Sequence, residues 1–186
     1  MTPEQPVFYY DLGSAECYLI AERVVSELSV MPEWEPVLGR DLAIGNADPD
    51  RDGITRQARA AGLQPLRWPD VWPPDTELAM LTATYAKRVG RAVAFSLAAF
   101  RQAFAGGRDL ADEGTVLIAA AACEMHPTAI LKGIGLRSVT DALAAAGARA
   151  RDAGVTALPA IEVAGEVYTG PGCLEAAEAG LTGASR

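Results

Sequence analysis

The sequence predicts an α/β fold in which two sheet-forming segments are separated by an all-helical insertion. At the N-terminal end, the short apolar run Val7 to Tyr10 turns directly into an amphipathic helix, and a second strand follows. At the C-terminal end, an alanine-rich helix precedes two short strands joined by Ala164-Gly165, and a last helix closes the chain. Between the ends lie several helix-period stretches and no convincing strand. Residues 1–40 therefore supply β-α-β, residues 137–186 supply α-β-β-α, and residues 41–136 form the helical insertion.

The first helix is expected from Ser14 to Leu28. Cys17, Ala21, Val24 and Leu28 fall on one stripe, and Glu16, Glu22, Arg23 and Glu27 fall away from it, so Cys17 faces inward. Ser14 stands at the N-cap position, where its hydroxyl either caps the free amides or meets a ligand at the positive end of the helix. Met31-Pro32 ends the helical pattern, and Trp34 to Leu38 reads as the second strand of a right-handed parallel unit. Gly39 to Asp52 is loop, and Ile54 to Ala61 a short helix stopped by Gly62.

Leu63 to Pro74 holds Trp68 and Trp72 among Pro65, Pro69, Pro73 and Pro74, which excludes a helix interior. Its tryptophans either wall a pocket or anchor a long connection. Two long helices are expected next, with Leu78, Leu81, Tyr85 and Val89 as the stripe of one and Val93, Leu97, Phe100 and Phe104 as the stripe of the other, divided at Gly90. Thr115 to Glu124 and Pro127 to Lys132 read as two shorter helices. Ser138 is expected to cap the helix that runs through Val139, Leu143 and Ala150 to Gly154.

Composition narrows the function classes. In 186 residues, half of them apolar, there is enough material for a sizeable core. A net charge of −8 argues against broad attraction to nucleic acid or anionic membrane and favours a small-molecule substrate. No targeting or membrane-spanning pattern is read, so a cytoplasmic protein, monomer or homodimer, is expected. Cys17, Cys123 and Cys173 are too widely spaced for a zinc set, and no metal site is expected. His126, the sole histidine, precedes Pro127, where a capping or exposed role suits it better than catalysis.

The order Asp11-x-x-Ser14-x-x-Cys17-Tyr18-Leu19 resembles the active-site turn of the DsbA-like branch of the thioredoxin superfamily, with Ser14 in the first cysteine position of a Cys-x-x-Cys. Gly154-Val155-Thr156-Ala157-Leu158-Pro159-Ala160-Ile161 resembles the segment in which that family carries a cis-proline facing the first helix. The element order is that of a thioredoxin fold interrupted at its middle by helices, so the resemblance spans nearly the whole chain. A serine in the first position is similar to the 2-hydroxychromene-2-carboxylate isomerases and kappa-class glutathione transferases. Gly45-Asn46, Trp72-Pro73-Pro74-Asp75-Thr76 and Gly107-Arg108-Asp109-Leu110 resemble further short motifs of that branch, in the same order.

The resemblance implies a cofactor, glutathione or another small thiol. Ser14 would activate it as the catalytic residue, and Asn46, Leu158 and Pro159 would help hold it. Cys17 then occupies the second, non-catalytic motif position. In Gly170-Pro171-Gly172-Cys173-Leu174, Gly172 replaces an aspartate that in the isomerases binds the amino group of glutathione. The implied activity is a thiol-dependent isomerase or transferase. The alternatives are a thiol–disulfide oxidoreductase with a degenerate Ser-x-x-Cys motif, or a relative that binds without turnover.

Overall fold

A computed structural model describes residues 5–42 and 48–183. The strands are β1 (Val7–Tyr10), β2 (Glu33–Pro36), β3 (Ala160–Val163) and β4 (Glu166–Thr169). They form one sheet in the order β2-β1-β3-β4, with β1 parallel to β2 and antiparallel to β3. The helices are α1 (Ala15–Glu27), α2 (Arg51–Ala60), α3 (Glu77–Arg88), α4 (Ala92–Phe104), α5 (Glu113–Ala121), α6 (Pro127–Ile134), α7 (Arg137–Asp152) and α8 (Cys173–Gly183). Strand order and helix placement are those that the resemblance to an interrupted thioredoxin fold implies.

Strand alternation divides the core. Phe8 and Tyr10 point to one face and join Trp34, Ile161 and residues of α1, α3, α4 and α8. Tyr9 points to the other, where Val37, Val155 and Ala160 pack under Ala146 and Ala150 of α7. The alanines of α7 let it lie close on the sheet, as its composition predicts. On the first face, α1 is enclosed well beyond its predicted stripe: Tyr18, Leu19 and Ile20 are buried as well as Cys17, Ala21 and Val24. Tyr18 stacks on Phe104, at 5.7 Å between ring centroids, and so fastens α1 to α4.

Several expectations need correction. Strand β2 ends at Pro36, not Leu38. Its edge position tolerates a proline, and the chain then turns into a 3₁₀ segment, Gly39–Leu42, inside what reads as loop. In α3 the buried positions are Ala79, Met80, Thr82, Ala83, Thr84 and Ala86, whereas Leu78, Leu81 and Tyr85 are half-buried and Val89 is exposed. Small residues there admit close approach of neighbouring helices, and the bulky stripe lies at the margin. Ser138 is not the cap of α7. Leu136 holds that place, and the Ser138 hydroxyl bonds the Arg88 guanidinium at 2.9 Å. His126 does cap: its Nδ1 accepts the Thr128 N–H at 3.2 Å at the start of α6.

Candidate active site

The turn between β1 and α1 is built around Asp11. Its Oδ1 accepts the Gly13 N–H and the Thr76 hydroxyl, each at 2.9 Å, and its Oδ2 accepts the Gly39 N–H at 2.8 Å. One carboxylate thus gathers the α1 turn, the segment after β2 and the threshold of α3. As a residue Asp11 keeps some exposed surface, yet its carboxylate is closely surrounded, and it is the enclosure of the charged atoms that governs ionisation. That enclosure raises its pKa, against the opposing pull of the three donors and of Arg40.

Gly13 is required by the same packing. A Cβ there would come within 2.7 Å of Thr76 Cγ2 and 3.0 Å of Pro74 Cγ, so the segment before α3 rests directly on the turn. Ser14 follows with extended backbone at the N-cap of α1, half-buried, its Oγ accepting the Cys17 N–H at 3.1 Å. Capping uses the hydroxyl oxygen as an acceptor, and the hydroxyl also interacts with the Cys17 thiol. The helix end adds a positive field at that point.

Cys17 is fully enclosed, and burial raises its thiol well above the usual range, only partly offset by the Ser14 hydroxyl and the Asp11 backbone. Cys173, at the first residue of α8, is also buried and pushed up to about 12, chiefly by burial. Both are free thiols, as is Cys123. A thiol that is neutral and enclosed is a poor nucleophile. In the folded protein at pH 8, Cys17 and Cys173 are therefore expected to resist alkylation by iodoacetamide, and to react fully once the chain is unfolded. Rapid labelling of Cys17 in the native protein would contradict the enclosure.

The Leu158–Pro159 peptide bond is cis, as the resemblance implies, and so is Trp72–Pro73. Leu158 extends its side chain toward the Asp11 and Gly39 contact, its Cδ1 lying 3.7 Å from the place a Gly39 Cβ would occupy. Among the described residues, nothing bonds the Leu158 backbone N–H or carbonyl. Ser14, Asp11 and Leu158 are thereby drawn to the C-terminal end of β1. Asn46 lies outside the described residues. Gly172 has an ordinary negative φ and open space where a Cβ would go.

Trp68 and Trp72 stand edge to face, 5.3 Å between centroids, beyond the Pro74 that touches the turn. Trp68 is anchored to the core by Phe104 at 6.0 Å, and Arg51 lies over both indoles. The anchoring and walling roles open to these tryptophans are thus both compatible with their half-buried state. Two hollows do not touch Ser14. A notch of about 30 Å³ between α1 and α2 is too small for a substrate. A groove of about 440 Å³ near Trp34, Lys87 and Arg91 opens at the start of β2, the opposite end of the strands from Ser14. Among the described residues no cluster of metal-binding side chains occurs, and no helix is long and apolar enough to cross a membrane.

The contacts of three residues, Asp11, Thr76 and Arg51, are not assigned from the sequence. Asp11 and Thr76 both sit inside recognisable motifs, and an aspartate directly after a buried strand, ahead of a glycine, is the signal that marks the first. Arg51 offers no comparable sign, because its aromatic partners are distant in sequence.

The DSBA-like thioredoxin domain family matches residues 7–179. No curated protein sequence matches the chain significantly. Among solved structures, a 2-hydroxychromene-2-carboxylate isomerase is similar with a TM-score of 0.84 at 18% identity, covering 98% of this chain and 97% of the other. A probable DsbA oxidoreductase from Streptomyces coelicolor gives 0.78 at 18% identity, over 97% and 89% of the two chains. A structure described as a protein disulfide isomerase from Nitrosomonas europaea gives 0.68 at 19%, over 97% of each. At such identities these likenesses establish a shared fold.

Proposed function

The chain belongs to the DSBA-like thioredoxin domain family, and from that premise we propose that it is an enzyme dependent on a small thiol of the glutathione type, acting as an isomerase or transferase. The observation that carries this reading is Ser14: a hydroxyl at the N-cap of α1, in the position of the family's first cysteine. It donates to the sulfur of the bound thiol, and with the helix end it favours the thiolate. The thiolate adds to a flat organic substrate. Release of the thiol after bond rotation gives isomerisation, and retention gives transfer.

The backbone of Leu158, unbonded among the described residues and next to a cis-proline, supplies a donor and an acceptor for the peptide part of the thiol. Asn46 is assigned a supporting contact on the resemblance alone. Disulfide exchange is the weaker reading, since the cysteine present is enclosed and its thiol is held neutral.

Thermal melting in the presence of thiols tests the proposal. A ligand that binds only the folded state adds stability by mass action, and for a chain of this size about 1 kcal/mol raises Tm by about 2–4 °C. At least one small thiol should raise Tm, with glutathione a weak ligand because Gly172 supplies no carboxylate for its ammonium group. Gly172→Asp should tighten glutathione several-fold, since neither φ nor space opposes the side chain. No shift with any thiol in either protein would reject the reading.

A further inference from the structure

The guanidinium of Arg51 is held where a ligand can reach it. Arg51 is the first residue of α2 and is exposed, with its Cζ 4.8 Å from the centre of the Trp68 ring and 5.5 Å from that of Trp72. The two indoles meet at 74°, so the cation lies in the angle between them. A guanidinium carries five N–H donors in a planar fork, and an aromatic face takes none of them as a conventional hydrogen-bond acceptor. Among the described residues none accepts a hydrogen bond from Arg51 or pairs with it. The adjacent Asp50 is turned instead to the start of α2, where it accepts the Gly53 N–H at 2.9 Å. Arg23, Arg40 and Arg101, by contrast, each hold a carboxylate at 2.7 Å.

The segment that carries Trp72 also touches the turn that carries Ser14. Pro74, two residues after Trp72, packs on Gly13, and Trp68 reaches α1 through Phe104 and Tyr18. We propose that Arg51 is a specificity-determining residue of this site, its edge N–H groups taking the carboxylate of an organic ligand whose flat or apolar body lies against Trp68 and Trp72. The proposal rests on the reading of Ser14 as a ligand site and adds the charge and shape of what enters beside it. The carboxylate belongs either to the thiol or to its co-substrate.

Calorimetric titration distinguishes these sources without relying on turnover. One arm compares 2-naphthoate with neutral 2-naphthamide, and the other compares glutathione with its diethyl ester. In at least one arm the unaltered protein should bind the carboxylate at least tenfold more tightly than its neutral partner, and Arg51→Gln should abolish that preference while leaving Tm nearly unchanged. The arm that responds names the source. Equal binding of acid and neutral partner in both arms, or a preference that survives Arg51→Gln, overturns the assignment. A naphthoate preference that persists in Ser14→Ala keeps this inference separate from the thiol chemistry, which the melting experiment tests alone.

Discussion

Ser14→Ala should lower thiol-dependent turnover by about a hundredfold or more, the scale at which removing one well-placed donor to a developing anion is felt. The fold should survive, because the loss of an N-cap costs about 0.5–2 kcal/mol. The cap in question is the single bond from the Cys17 N–H to Ser14 Oγ, and helix α1 is also held by its enclosed face. Cys17→Ala should behave in the opposite way. Deleting one buried heavy atom is comparable to deleting a methyl group and costs about 0.5–1.5 kcal/mol, with turnover largely retained. Measured kinetics with the best thiol, next to denaturant midpoints for both variants, decide the matter. Unchanged rates in Ser14→Ala would remove it from the chemistry, and a dead Cys17→Ala would put thiol exchange in first place.

Asp11→Ala should be strongly destabilising, at about 2–4 kcal/mol near neutral pH. It strands the Gly13 and Gly39 amides and the Thr76 hydroxyl at once, part-buried donors of which a fully buried one costs about 1–3 kcal/mol when unpaired. Relief of a desolvated charge offsets part of that sum. The same enclosure sets a pH dependence. Because the folded-state pKa of Asp11 is raised, the stability contributed by its protonation is fully present below the unfolded carboxyl value and is lost as pH rises through the folded one. Asp11→Asn should flatten that part of the profile, and an unaltered acid-side slope would mean that another carboxylate produces it.

The legible parts of the fold are those whose reasons are local. Val7 to Tyr10, the capped helix after it and the hairpin at Ala164-Gly165 are specified by periodicity and turn chemistry within a few residues, and the structure holds all three. The α3 face was misread because a stripe of Leu and Tyr looks like the buried one, whereas helices crowded on several sides bury alanine. Ser138 misled for a similar reason: the residue type suits a cap, but Arg88 on another helix engages its hydroxyl. At the candidate site, the Ser14 cap was legible from its residue type and the cis Leu158–Pro159 bond from motif resemblance. The convergence of Asp11 with Gly39 and Thr76, and of Arg51 with two tryptophans, was not, because no local pattern encodes a meeting between residues far apart in sequence.

Asp11 reaches residues 28 and 65 positions further along the chain, so the turn before α1 is closed by long-range partners. The entropy of closing such loops must be met before their bonds give anything back, which sets a cost against their early formation. A chain with β1 and α1 already paired but the region around Thr76 still loose would have its sheet begun and its candidate thiol site unmade. On the proposed reading, binding competence at Ser14 is tied to completed folding, and a partly folded chain would present no preformed anion-stabilising end to a thiol.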